Sequence, residues 1–222
     1  MKLLLHICCA PCIAAPLAEL RRGGAEVTGF FHNPNIHPLL EFRKRLRAVE
    51  VLAEQEKLGL IGRPEYGLHE FLRQTAGHER DPEGGARCAI CYRMRIDATA
   101  ALARRERFDA FTTSMLFSRH QNHELISSIA REAAAREGVA FHYADLRDMV
   151  EASMEIARKR SLYRQQYCGC IFSEYERYEG RREEDKKGRR ERATTGERKN
   201  EGGEEGERGT RDKDSGAETM RS

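Results

Sequence analysis

Short apolar runs alternate with amphipathic stretches from Leu3 to Ser161, and this rhythm limits the fold more than any other feature of the chain. Leu3 to Ile7 reads as a strand, Pro11 to Arg22 as a helix stopped by Gly23-Gly24, and Glu26 to Phe31 (EVTGFF) as a second strand. That is a βαβ opening. A long amphipathic helix follows from Leu39 to Leu58, with Leu46, Val49, Leu52 and Ala53 at helical spacing. Arg43, Lys44, Arg45 and Arg47 crowd its start. Basic residues there oppose the helix dipole and so hint at an anionic partner, although a solvated helix face is the simpler account. His69 to Thr75 is a short helix, and GHERDPEGGAR (77–87) is a polar loop. Cys88 to Arg107 is helical, Phe108 to Thr113 a strand, His123 to Glu137 a helix, Val139 to Tyr143 a strand and Arg147 to Ser161 a helix. Four strands separated by helices predict an α/β fold, a Rossmann-like and largely parallel sheet with helices on both faces.

The rhythm stops well before residue 222. From Glu179 to Ser222 there are 13 Lys and Arg against 13 Asp and Glu, with no Val, Ile, Leu, Phe, Tyr or Cys. Such a segment cannot bury enough apolar area to offset its chain entropy. The expected organisation is therefore an α/β catalytic domain over 1–178 and a disordered charged tail over 179–222. The excess charge of +3 then belongs to the first part, too mild by itself to announce a nucleic-acid protein. The opening MKLLLHI is too short for a signal peptide or a membrane span, so the expectation is a cytoplasmic protein with no membrane partner. Stable disulfides are rare in that reducing compartment. Seven cysteines, an odd number, then favour metal ligation or redox chemistry over structural staples.

Those cysteines fall in three clusters: Cys8, Cys9 and Cys12 in HICCAPC; Cys88 and Cys91 in RCAICYR; Cys168 and Cys170 in YRQQYCGCIF. In a parallel sheet the ligand crevice lies beyond the carboxyl ends of the strands, which is where Cys8 and Cys9 stand. Neighbouring side chains can share a site only where the strand gives way to a loop. Cys12 is expected in the first turn of the following helix, where the dipole lowers a thiol's pKa.

Four readings compete. A thioredoxin-like oxidoreductase would use Cys9 and Cys12 as a CxPC pair, leaving five cysteines without a role. Structural zinc, as in an RNA-binding module, needs four thiolates that here must converge from distant segments. Buried apolar thiols account for any one cysteine, less well for three clusters. An iron-sulfur cluster could take Cys8, Cys9, Cys88 and Cys91 at one sheet edge. Cys168 and Cys170, separated only by Gly169, would close a small strained disulfide that is easily reduced, a two-electron switch in place of a staple.

HICCAPC, GFFHNPNIHP (29–38), RCAICYRMR (87–95), FDAFTTSMLFSRHQNHE (108–124) and YRQQYCGCIFSE (163–174) together resemble the cobalamin-independent epoxyqueuosine reductases. The resemblance covers residues 1–178 and not the tail. It implies two-electron removal of an epoxide oxygen from epoxyqueuosine at the wobble position of a tRNA, giving queuosine. It further implies a 4Fe-4S cluster on Cys8, Cys9, Cys88 and Cys91, an additional iron, and Cys168 with Cys170 as the redox-active pair. Cys12 and Asp145 are the candidates for holding that iron, Asp145 also serving equally well as a helix-capping acid. Partners would be the tRNA and an electron donor that the sequence does not identify. One departure is Ser118-Arg119-His120-Gln121, where the family pattern has a proline and an aromatic residue between Ser and Gln.

For an extruded loop base the candidate contacts are Arg87, Arg93, Arg95, Tyr163, Arg164, Gln165 and Tyr167, with the turn Asn33-Pro34-Asn35 at the same edge. None of His6, His32, His37, His120 or His123 is assigned a catalytic role, because a histidine picked from eight is more often a hydrogen-bonded structural residue.

Overall fold

The computed structural model describes residues 1–62 and 64–179. Among them, five strands form one wholly parallel sheet in the order β3-β2-β1-β4-β5, with β1 Lys2–His6, β2 Glu26–Phe30, β3 Gly59–Ile61, β4 Ala110–Thr113 and β5 Ala140–Phe141. β1 is central, which explains its unbroken LLL run: a parallel strand covered on both faces has no solvent side to alternate with. Leu3 and Leu5 enter a core with α1 (Pro16–Arg22), α2 (Leu39–Gln55) and α6 (Val150–Lys159). Leu4 points the other way, into a core with α4 (Ala86–Arg105) and α5 (His123–Glu137). The α/β expectation with helices on both faces holds, as does the parallel sheet. α3 (Leu68–Gln74) and a helix over 171–179, α7, complete the described elements.

Four details differ from the sequence reading. β3 is a fifth strand, missed because three largely exposed residues carry no apolar alternation. α1 begins at Pro16, where proline suits the first helical turn, so Cys12 sits in the turn before the helix and not in its first turn. The last expected helix is split into a 3-10 turn, Arg147–Met149, and α6. α7 lies beyond the segment read as helical. The expectation for 179–222 falls, after Glu179, outside the described residues. Among the described residues no helix is long and apolar enough to cross a membrane.

The chain winds outward from β1 through β2 to β3, then returns to place β4 on the other side of β1. This reversal opens a crevice beyond the carboxyl ends of β1 and β4, the place where such sheets bind ligands.

Candidate active site

His6 and Thr113 are paired across the last residues of β1 and β4, and both side chains are buried. His6 Nδ1 meets Thr113 Oγ1 at 2.9 Å and Nε2 meets the His32 carbonyl at 3.0 Å. Since a carbonyl can only accept, Nε2 carries the proton. Burial and the nearby Arg95 charge push the imidazole down to about 3. His6 is thus a neutral clamp holding two strand ends and the 32–33 loop together, in keeping with a structural role.

Directly above this clamp the chain leaves the strand, and Cys8, Cys9 and Cys12 converge. Their sulfurs all lie within 4.8 Å of one another, and among the described residues they are the one group of three or more ligating side chains so close. Cys8 is fixed from the 3-10 turn that follows β4, Ser114–Phe117: its N–H donates to Ser114 Oγ at 2.9 Å, and that hydroxyl donates to Cys8 Sγ at 3.2 Å. Gln165 Nε2 donates to Cys9 Sγ at 3.0 Å. Cys9 and Cys12 are joined as a disulfide with Cα atoms 5.4 Å apart. A sulfur in that bond cannot also be a thiolate ligand, so metal binding through either residue requires the two-electron reduced form.

The other four cysteines are free and line one small pocket of about 20 Å³, together with Arg87, Arg95 and Gln121. Cys88 and Cys91 stand in the first two turns of α4, one helical turn apart, on the same face. Burial pushes the Cys91 thiol up to about 12 and the Cys170 thiol up to about 11, and raises Cys88 as well. Arg95 joins the two thiol groups. It is 2% exposed, and its Nη2 donates to Cys91 Sγ at 3.1 Å. Burial pulls its pKa down, but the Cys91 and Cys8 sulfurs more than offset this and leave it raised. One buried cation therefore bonds a sulfur of one group and feels the charge of the other.

The Cys168-Gly169-Cys170 turn is held from α2. Arg45 donates from Nη1 to the Cys168 carbonyl and from Nη2 to the Tyr167 carbonyl, each at 2.9 Å, and from Nε to Glu41 Oε1 at 2.6 Å. The other Glu41 oxygen accepts from the Tyr163 hydroxyl. Gly169 has φ +116, and its carbonyl accepts from the His37 N–H at 2.8 Å. A Cβ at Gly169 would come within 2.9 Å of Ile36 and 3.1 Å of Arg45 Nη1.

Several expected contacts take other roles. Arg87, 1% exposed, pairs with Glu176 and lies over the Phe172 ring, and Tyr167 is buried with its hydroxyl on the His37 carbonyl. With Arg95 held on Cys91, these three are internal supports and not surface contacts. Arg93 is exposed but paired with Glu132 at 2.8 Å. Asn33 is buried, its amide donating to the Ile7 carbonyl at 2.8 Å. The Asp145 carboxylate is gripped by Arg147, which holds it well below the usual carboxylate range. Its neighbours Ala144 and Leu146 pack on the Cys8, Cys9 and Cys12 group. The sequence names Arg45 only as one of four basic residues at the start of a helix, and gives Ser114, in a run of hydroxyl residues, no role.

The family profile described as epoxyqueuosine reductase QueH matches residues 3–176. A relative bearing that name in Dehalococcoides mccartyi is 40% identical over 177 residues, covering 80% of this chain and 94% of the relative. Namesakes in Acinetobacter baylyi, 33% identical with 78% of this chain and 80% of the relative covered, and in Thermotoga maritima, 32% identical with 79% and 92% covered, are also similar. All seven cysteines lie within the matched residues, and with this coverage the chain belongs to the epoxyqueuosine reductase QueH family.

Proposed function

We propose that this chain is a cytoplasmic epoxyqueuosine reductase acting on the wobble nucleotide of a tRNA, with residues 1–178 as the catalytic domain and 179–222 as a charged tail. The observations that support the reading are a group of three sulfurs, Cys8, Cys9 and Cys12, just beyond the end of β1, and a separate pocket lined by the other four cysteines. In this proposal Cys8, Cys9, Cys88 and Cys91 hold a 4Fe-4S cluster, an additional iron is held by Cys12 or Asp145, and Cys168 with Cys170 form the redox pair. The donor set suits such a group: soft thiolates and a buried Arg95 to offset their charge, while the unpartnered buried carbonyl oxygens of Gln121 and Gln165 could serve only as oxygen donors to the additional ion. A four-iron cluster is wider than one ion, so its ligands stand further apart than three sulfurs converging on a point.

When bound, the cluster and its companion iron would supply one-electron transfer and a Lewis acid for the epoxide oxygen. The chain's own part is a balanced exchange. Closing the Cys168–Cys170 disulfide gives up two electrons and two protons, and these convert an epoxide to an alkene and water. An electron donor then restores the dithiol. Gln165 orients Cys9, Ser114 orients Cys8, and Arg45 holds the turn on which the redox pair sits.

Anaerobic purification with iron and sulfide analysis tests the reading. We expect brown protein whose iron and sulfide are mostly lost on serine substitution at Cys8, Cys9, Cys88 or Cys91. Serine at Cys168 or Cys170 should leave the visible spectrum near wild type while abolishing multiple turnover. Colourless protein containing stoichiometric zinc would refute the assignment. The Cys9–Cys12 disulfide favours one alternative, thioredoxin-like exchange, which would persist after loss of Cys88 and Cys91.

A further inference from the structure

To the side of the thiol pockets, a groove of about 460 Å³ runs between the N-terminal half of α2 and the turn after α6. Four basic residues line it, Arg43, Lys44, Arg47 and Arg160, and no acidic residue does. Arg47 pairs with Glu50 and Arg160 with Glu56. Arg43 and Lys44 are exposed and outside any ion pair among the described residues. The lysine ammonium lies 5.7 Å from the centre of the Tyr163 ring, and Leu40 beside it is 65% exposed. The residues of 1–178 carry only a slight net positive charge, so this acid-free lining is a local concentration of charge.

The groove's position matters as much as its sign. α2 starts at the carboxyl edge of the sheet, following β2. Tyr163, in the groove wall, bonds Glu41, which bonds Arg45, which holds the Cys168 carbonyl. Two residues beyond Tyr163, Gln165 touches Cys9 Sγ. The groove therefore adjoins the thiol site through the segment 163–168.

We infer that this groove seats the phosphate backbone of the anticodon arm of the substrate RNA, with Arg43 and Lys44 as its phosphate contacts. The inference rests on the tRNA substrate of the proposed function. A flipped wobble base at the thiols leaves its neighbouring nucleotides at the rim of the site, and a polyanion there meets a nearby wall whose charged lining residues are all basic. Phosphate contacts of this kind position a nucleic acid without reading its sequence.

The test is binding of a fluorescent anticodon stem-loop RNA to the full chain over a range of salt. In R43E/K44E we expect affinity to fall at least about tenfold at moderate salt, and the slope of log affinity against log salt to lessen by about 1.5, close to 0.7–0.9 per lost contact. A control, R107E/R131E, makes the same change in net charge at exposed residues away from the groove and should move both readouts far less. Thermal melting of both variants checks the fold. Equal effects in the two variants, or no RNA binding by wild type, would overturn the inference. So would groove-dependent binding to phosphatidylserine vesicles with RNA affinity unchanged, since the occupant would then be a lipid surface. RNA binding is read without turnover or iron, so a chain that binds RNA through the groove yet reduces no epoxide defeats the reductase reading alone.

Discussion

Gly169 is constrained both by its backbone angle and by its neighbours. Its φ of +116 lies where side chains are disfavoured, and a Cβ would press on Ile36 and Arg45. Gly169→Ala should cost about 1–3 kcal/mol of stability and slow oxidation of the Cys168–Cys170 dithiol, measured by thiol titration after mild oxidant. Unchanged thiol kinetics would show that the turn tolerates a different path. His37 offers a second test. Burial holds its imidazole down to about 4 against an ordinary 6.5, opposed weakly by a backbone contact at Pro34, and its Nε2 is buried without a partner. A depressed folded-state pKa contributes stability that is present above about 6.5 and is lost as pH falls toward 4, at about 1.4 kcal/mol per unit. Between pH 7 and pH 5, wild type should lose about 2 kcal/mol more than His37→Gln in urea denaturation. Parallel losses would remove His37 as the titrating group.

The contact between α2 and the 163–170 segment rests on a buried ion pair, Arg45 with Glu41, 2% and 6% exposed. Arg45→Met leaves Glu41 buried without its cation and should cost about 3–5 kcal/mol, whereas Arg45→Met combined with Glu41→Gln should regain much of it. Denaturant midpoints of the three proteins check this, and equal losses in the single and double variants would mean that Arg45 matters through its backbone contacts instead. That pair also marks the limit of what the sequence disclosed. β1, β2, β4 and the helices around them were legible because burial on both faces writes itself as apolar runs and helical periodicity. β3 left no such trace, since an edge strand of three exposed residues differs little from a loop. The cysteines stood out as chemistry from their clustering alone. Their supports did not: Ser114 lies 106 residues from Cys8, and Arg45 about 123 from Cys168. Nothing local distinguishes a buried arginine on a basic helix from its solvated neighbours Arg43 and Arg47.

At the scale of the whole molecule, every strand pairing among the described residues is parallel, so each neighbour is reached only through an intervening crossover. Residues 179–222 contain no large apolar side chain except Met220, and removing them should leave the melting temperature and epoxide turnover of 1–178 unchanged, a large drop in either showing that they dock or bind. The central strand β1 is flanked by β2 on one side and by β4, more than 100 residues later, on the other. During synthesis the Cys8, Cys9 and Cys12 segment therefore leaves the ribosome early, yet its wall from Ser114 and its cover from Gln165 arrive late. For most of translation three reactive thiols wait in an unfinished sheet. If these sulfurs take up metal as proposed, their complete site exists only after the Gln165 segment has been made, and until then an oxidising environment would let them pair elsewhere.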